Sequence, residues 1–421
     1  MHKNITMENM KSFYEHHLKN DILPFWLRSS VDYKKGGYFN CYDNTGRNLV
    51  SKDKYTWSQG RFVWIFSKLA SLSTNTFNDE ERKNFLKIAK LGADFLMENC
   101  LLDNGNCAFL LDENGKPKLP PGQKIYDTSI FADCFVTAGL AKYALAASAE
   151  KAYHFARKLY DSIHARVMEN KFHMEPYPTP KGYKTHSIPM ILLNLSEELH
   201  EAAKVFEPSH MQYLEKRIEY FADDILNNFV DENNLIRETI REDNTLCDNI
   251  LGRCINPGHT IEDMWFVITA GRIFKKDWYK KKAAVIVEST FKFGWDNEFD
   301  GIFHYLDVEG GPPKGNTGGL ENEPAVRQLR NDWDNKLWWV HSEALYTTLL
   351  CYKETGDIKF YDMYCKVFDY TFSTFPNPDR EIGEWIQIRE RNGTPVEKVV
   401  ALPVKDPYHI IRNIALIIEL L

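Results

Sequence analysis

Apolar residues recur at three- and four-residue spacing along most of this chain, and only in a few stretches does the spacing drop to the two-residue alternation of a strand. The helical period can be followed over roughly 7 to 27, 57 to 73, 79 to 100, 127 to 147, 149 to 168, 187 to 204, 209 to 230, 259 to 275, 277 to 294, 337 to 355, 357 to 375 and 407 to 421. Local signals mark several starts: Asn78 with Glu81 has the capping-box spacing, Ser209 follows Pro208, and Asp357 follows Gly356. The connections alternate between very short and long, the long ones covering 28 to 56, 101 to 126, 169 to 186, 231 to 258, 295 to 336 and 376 to 406. That rhythm predicts six antiparallel helix pairs.

Each long connection carries a strand-like run with turn residues: GGYFNCYDNTG from Gly36, NCAFLLDENG from Asn106, KFHMEPY from Lys171, NLIRETIREDN from Asn234, GIFHYLDVEGG from Gly301 and GEWIQIRERNG from Gly383. One hairpin per pair is expected. Six pairs with every insert on the same side describe an all-α fold, an (α/α)6 barrel of inner and outer helices with short β-hairpins on one rim. An open solenoid would show the same local rhythm, but solenoids need polar capping repeats at their ends, and closure is the expectation here. The repeat also predicts a single domain over 1–421, where length alone would suggest two or three.

Composition narrows the partners. With 43% hydrophobic residues, the 421-residue chain can bury a large core. Fifty-two basic against 59 acidic residues give a net charge of −7, and no basic block longer than Lys280 to Lys282 offers a nucleic-acid footprint. The N-terminus lacks the apolar core of a signal peptide. The longest apolar stretch, near Ile410 to Leu421, is broken by Arg412, Asn413 and Glu419, so no membrane span is expected. Eight scattered cysteines without a CxxC pair read as reduced thiols of a cytoplasmic protein. A small molecule is the expected partner.

The second helix of each pair starts directly after an insert, and its first turn holds polar and aromatic residues: WSQGRFVW (57 to 64), YDTSIFADC (126 to 134), THSIPMILLN (185 to 194), NPGHTIEDMW (256 to 265), KLWWVHSEAL (336 to 345) and DPYHIIRN (406 to 413). In a ring, these six starts converge on one concave site with the partial positive charge of helix N-termini. His259 with Glu262 and His409 with Arg412 share a helix face at i, i+3, whereas His341 and Glu343 point to different partners. A histidine at a helix N-terminus is kept neutral and can serve as a general base. Aromatic faces such as Trp57, Trp339 and Trp385 suit the C–H faces of a sugar, with Asn194, His341 and His186 as further candidate sugar contacts; the role of His186 stays open. Zinc on His259, Glu262, His341 and Glu343 is the competing reading, weakened by the lack of an HExxH spacing and by Arg61 and Arg412 at the same rim. GGPPKGNTGG (310 to 319) is neither a P-loop nor a dinucleotide fingerprint and reads as a flexible rim loop.

Several segments, in order along nearly the whole chain, resemble the N-acylglucosamine 2-epimerase family: FWLRSSVDYKKGGYFNCYDNTG from Phe25, KYTWSQGRFVWIFSKL from Lys54, FADCFVTAGLAKYA from Phe131, IPMILLNLSEEL from Ile188, LGRCINPGHTIEDMWF from Leu251, WDNKLWWVHSEAL from Trp333 and GEWIQIRERNG from Gly383. The resemblance implies an (α/α)6 barrel and inversion at C2 of a sugar through an enediolate, interconverting N-acetylglucosamine and N-acetylmannosamine without a metal or redox cofactor. It implies His259 and His409 as the acid/base pair, Arg61, Glu343 and Arg412 as essential polar groups, and Glu262 as the residue that orients His259. It also implies nucleotide (ATP) activation, for which no phosphate-binding motif is present, and a homodimer. The family's cellobiose 2-epimerases and mannose isomerases resemble one another in an HLHxxEA-like motif, where this chain has HSIPMILLNLSEEL.

Three other functions compete: another C2 sugar activity such as that of a D-mannose isomerase or cellobiose 2-epimerase, a glycoside hydrolase or lyase with two flanking carboxylates, and a silent sugar-binding protein. The last would be expected to lack one of the two histidines, and both are present.

Overall fold

Helices that are apolar around their whole circumference can lie only where neighbours cover every side, and this sorts the helices into two layers. The structure, a computed structural model, describes residues 7–421. The chain starts on the outside with α1 (Met7–His17) and α2 (Leu23–Ser29), joined by a π-helical turn over Leu18–Ile22. It then alternates inward and outward: α3 (Thr56–Ala70) in, α4 (Asp79–Asn99) out, α5 (Ile130–Ala147) in, α6 (Glu150–Met168) out, α7 (Ser187–Phe206) in and α8 (Met211–Asp224) out. It continues with α9 (Pro257–Phe274) in and α10 (Asp277–Gly294) out, adds α11 (Pro324–Asp332) on the rim, and ends with α12 (Trp338–Thr355) in, α13 (Ile358–Thr374) out and α14 (Tyr408–Leu420) in. Because α14 packs against α3, the inner ring is closed, and the fold is an (α/α)6 barrel.

The outer helix α8 buries one stripe, Leu214, Ile218, Phe221 and Ala222, whereas α5, α9 and α12 are buried on nearly all sides. This resolves α5, which is long and apolar enough to cross a membrane. It lies between α3 and α7 in the inner ring, mostly buried. The Asn78–Glu81 capping box forms with both reciprocal hydrogen bonds, and Asp357 caps α13 through the Lys359 N–H. Ser209 instead falls inside a 3-10 turn, Pro208–His210, ahead of α8.

Two expectations are corrected. The helix expected over 7 to 27 is interrupted, because Pro24 has no N–H to continue the ladder and the π turn absorbs the mismatch. The 295 to 336 insert holds the unexpected α11, whose Val326 and Leu329 pack with Ile250, Leu251, Cys254 and Tyr305 in a small core of their own. Short, amphipathic and outside the repeat, α11 carries too few turns for its period to stand out.

The inserts are also not self-contained hairpins, with one exception. Among the named strands of the described residues, only β1 (Cys41–Tyr42) and β2 (Leu49–Ser51) pair with each other within one insert, while single bridges such as Leu111 to Pro117 and Arg389 to Pro395 close turns in others. Elsewhere the strand of one insert pairs antiparallel with the residues that lead into the preceding inner helix. β3 (Lys54–Tyr55) takes β4 (Leu110–Leu111), and β5 (Tyr183–Thr185) takes β6 (Thr239–Arg241). β7 (Cys254–Ile255) takes β8 (Leu306–Asp307), and β9 (Lys336–Leu337) takes β10 (Ile388–Arg389). A bridge between Ser129 and Met174 does the same ahead of α5. The first insert is tied to the last by the Lys405 N–H on the Asn40 carbonyl, 2.9 Å. Hydrogen bonds thus hold the start of every inner helix to its neighbour's insert, all around the rim.

Candidate active site

At the rim, the first turns of the inner helices enclose a cleft of about 280 Å³. Each contributes: Trp57 and Arg61 from α3, Phe131 and Phe135 from α5, Met190 and Asn194 from α7, His259 and Glu262 from α9, Trp338 and Trp339 from α12, His409 and Arg412 from α14. The convergence expected from the sequence is therefore observed, and the volume suits a small ligand.

His259 stands in the first turn of α9, whose N-cap Asn256 accepts the His259 N–H at 3.1 Å. Its imidazole meets the carboxylate of Glu238 through Nδ1, at 3.0 and 3.1 Å to the two oxygens. A carboxylate is an acceptor, so Nδ1 carries the proton and Nε2 is left for the cleft. Burial opposes charge on Glu238, yet the hydrogen-bonded His259 and the nearby His186 hold its carboxyl down to about 2. His409, the second residue of α14, repeats the arrangement with Glu343, its Nδ1 donating to Oε1 at 2.7 Å. Burial pushes this imidazole down to about 3, so His409 is a neutral base at physiological pH. Both rings lie against the indole of Trp339, with centroids 5.3 and 5.8 Å away. The indole fits because residue 258 is glycine: a Cβ there would come within 2.5 Å of it.

The two arginines differ. Arg412 is buried between two carboxylates, Glu262 and Glu343, with the Glu343 contact at 2.5 Å, and beside the rings of Tyr408 and Trp265. Its charge is committed to holding those carboxylates. Arg61 pairs with Asp406, stacks on Phe135 at 4.1 Å and keeps its side chain 13% exposed at the cleft, so it can face a developing oxyanion. A third cleft histidine, His304, donates through Nδ1 to the Asp332 carbonyl at 3.2 Å, and burial pushes it down to about 3.

Several expected positions move. Glu262 bonds Arg412, and the carboxylate on His259 is Glu238, which lies in the strand-like run from Asn234 rather than at an inner-helix start. No periodicity marked it. His341 is no sugar contact: fully buried, it donates through Nδ1 to the Leu337 carbonyl at 2.7 Å and accepts the Ile302 N–H at Nε2 at 2.9 Å. Trp385 is likewise buried, donating to His17 at 2.8 Å and stacked on Phe375. His186 is buried behind the cleft wall, its Nε2 on Asp263 at 2.8 Å. Trp57, Asn194 and Trp339 do line the cleft.

The zinc set of the competing reading does not assemble, since His341 is fully buried with both ring nitrogens on backbone groups. Among the described residues, two other groups bring ligand atoms within 4.8 Å of one another, His186/Glu238/His259 and Glu262/Glu343/His409. The Arg412 guanidinium sits on both carboxylates of the second and opposes a cation there, and in the first, His186 turns Nε2 to Asp263. The glycine-rich 310 to 319 segment wraps a carboxylate: Asp307 accepts the N–H of Glu309 and Lys314 and pairs with Arg253. An acidic centre does not fit a phosphate.

A family model described as N-acylglucosamine 2-epimerase (GlcNAc 2-epimerase) matches residues 37–413. The chain is 30% identical to an N-acylglucosamine 2-epimerase of Bos taurus over 407 residues, covering 95% of this chain and 88% of that one. The structure is similar to that of cellobiose 2-epimerase from Bacillus thermoamylovorans B4167, with a TM-score of 0.77, 20% identity and 98% and 99% of the two chains covered. It is similar also to a D-mannose isomerase, with a TM-score of 0.77, 17% identity and 98% of each chain covered.

Proposed function

The chain belongs to the N-acylglucosamine 2-epimerase family and is an isomerase acting on a sugar, and from this premise we propose that it interconverts N-acetylglucosamine and N-acetylmannosamine by moving a proton at C2. The observation that carries the reading is the pair of histidines in one cleft, each with Nδ1 given to a carboxylate and Nε2 left without a protein partner among the described residues.

The chemistry follows from that pair. The open-chain sugar carries an aldehyde, which makes the C2 proton acidic. One Nε2 takes it and the electron pair moves into an enediolate with charge on O1; the other histidine, having taken a proton from solvent at its own Nε2, delivers it to C2 from the opposite face, and the first histidine releases its proton to solvent. No electron is gained or lost, so the reaction calls for no redox cofactor. Arg61 faces the charge that develops on O1, a contact that strengthens only as the reaction proceeds. Trp339, against both imidazoles, offers a flat apolar face for the sugar between them.

Proton NMR of each sugar incubated with the protein in D2O tests this. Loss of the H2 signal with growth of the other epimer is the expected result. Exchange on mannose, glucose or cellobiose alone would move the assignment to another C2 activity of the family, and exchange on none would reject it.

A further inference from the structure

Behind His259, the Glu238 carboxylate does not end in solvent or in backbone. Its nearer oxygen lies 3.9 Å from Nδ1 of His186, and Nε2 of His186 lies 2.8 Å from Asp263 Oδ2. His186 and Asp263 have no exposed surface, and neither Asp263 Oδ1 nor His186 Nδ1 has a hydrogen-bond partner. The backbone locks this order: the His186 N–H donates to the Glu238 carbonyl at 3.0 Å where β5 meets β6, and Asp263 follows His259 by one turn of α9. Sequence distance hides the arrangement, since the four residues come from three segments.

The contrast with His341 shows that His186 is not merely a packed histidine. His341 gives one proton to a carbonyl and accepts one N–H, which a neutral ring satisfies. His186 gives Nε2 to Asp263 at 2.8 Å and turns Nδ1, which has no hydrogen-bond partner, toward the Glu238 carboxylate at 3.9 Å, so each nitrogen looks onto a carboxylate and a doubly protonated ring suits the place. We propose that Asp263, His186, Glu238 and His259 form one relay in which the buried His186 imidazolium, held by Asp263, positions Glu238 and so fixes which nitrogen of His259 carries the proton. His186 and Asp263 are positioning residues. They touch no substrate and act through Glu238.

The charge balance gives the relay a second effect. A lone carboxylate beside His259 would favour the imidazolium and remove the base, and the positive ring behind Glu238 offsets that pull. Burial opposes charge on His186, yet the hydrogen bond with Asp263 and the nearby Glu238 carboxylate raise it to about 9, so the offset persists at neutral pH. The other ionisable groups facing the relay are Glu262 and Glu197 near Asp263, Cys254 and Tyr305 near Glu238, and His304 near Glu238 and His259.

The inference rests on His259 being a base in the proposed reaction, and its test separates the two. The full-length protein, labelled with ¹⁵N-histidine, is titrated while the ring nitrogens are followed by NMR, with His259 assigned from the His259→Gln spectrum. Wild type is expected to show His259 protonated at Nδ1 and bare at Nε2. His186→Gln is expected to raise the His259 titration midpoint by about one pH unit, and the nearly isosteric Asp263→Asn to raise it by less. The acid limb of kcat/KM for N-acetylmannosamine should follow both, with kcat about 10- to 100-fold lower and KM within about threefold. A loss of kcat with the His259 titration and pH profile unmoved in both variants would overturn the relay. Asp263→Asn carries the test if His186→Gln does not fold, and the ring-nitrogen titration decides the relay even if neither sugar is turned over.

Discussion

A carboxylate can only accept, so a histidine whose Nδ1 touches one has its tautomer settled and its Nε2 freed, and this chain does that twice in one cleft. The two carboxylates are not equivalent. Glu238 spends both oxygens on His259, whereas Glu343 Oε1 also takes Arg412 and the Asn413 amide at 2.7 Å, and its Oε2 takes the Trp265 indole at 3.1 Å. Glu238→Gln should therefore cost about 10² to 10⁴ in kcat with little change in thermal stability. Glu343→Gln should lose activity and also melt earlier, because four buried donors, His409 among them, lose a charged acceptor at once. Steady-state kinetics and calorimetry on the two variants check the contrast, and equal melting losses would contradict it. Arg412 stood beside His409 in the sequence as an i, i+3 pair, but its charge is used on Glu262 and Glu343, a partnership across three helices that spacing on one helix could not show.

At the scale of elements, α3 and α5 approach one another closely in the inner ring. A Cβ on Gly60 would lie 2.2 Å from the Phe135 carbonyl oxygen, and one on Gly139 would lie 2.3 Å from the Gly60 carbonyl. Two glycines facing each other let these inner helices touch backbone to backbone, which brings Arg61, the next residue, against the Phe135 ring. Gly60→Ala should force the pair apart, destabilise the fold by about 1–3 kcal/mol and lower kcat as Arg61 shifts. Denaturant unfolding and kinetics read both, and a stable, fully active variant would show that the contact yields without consequence. The rim strands teach a related lesson. Their alternation was visible in the sequence, but their partners were not, because two- and three-residue strands carry no register of their own and pair with whatever the helices bring alongside.

For the whole molecule, closure is the property that makes the site. The Lys405 ammonium is buried between the carbonyls of Asn44, 2.7 Å, and Trp385, 2.6 Å, and its own N–H reaches Asn40, so one residue joins the first and last inserts beside His409. Lys405→Met removes the side-chain donors and should cost about 1–3 kcal/mol for each carbonyl left unpaired. Hydrogen exchange should then quicken together at α3 and α14, the two sides of the seam, and faster exchange at neither would place closure elsewhere. The sequence by itself determined the helix pairs, the side on which the inserts lie, and the inner-helix starts that supply His259, His409, Arg61 and Trp339, because periodicity and chain order are local properties. It also carried the family. Only the tertiary structure decided which side chains meet: that Glu238 and not Glu262 serves His259, that His341 and Trp385 turn into the core, and that His186 backs the cleft without lining it. These outcomes depend on hydrogen bonds between residues far apart in the chain, whose partners are chosen only when the ring closes and burial leaves each polar group no alternative.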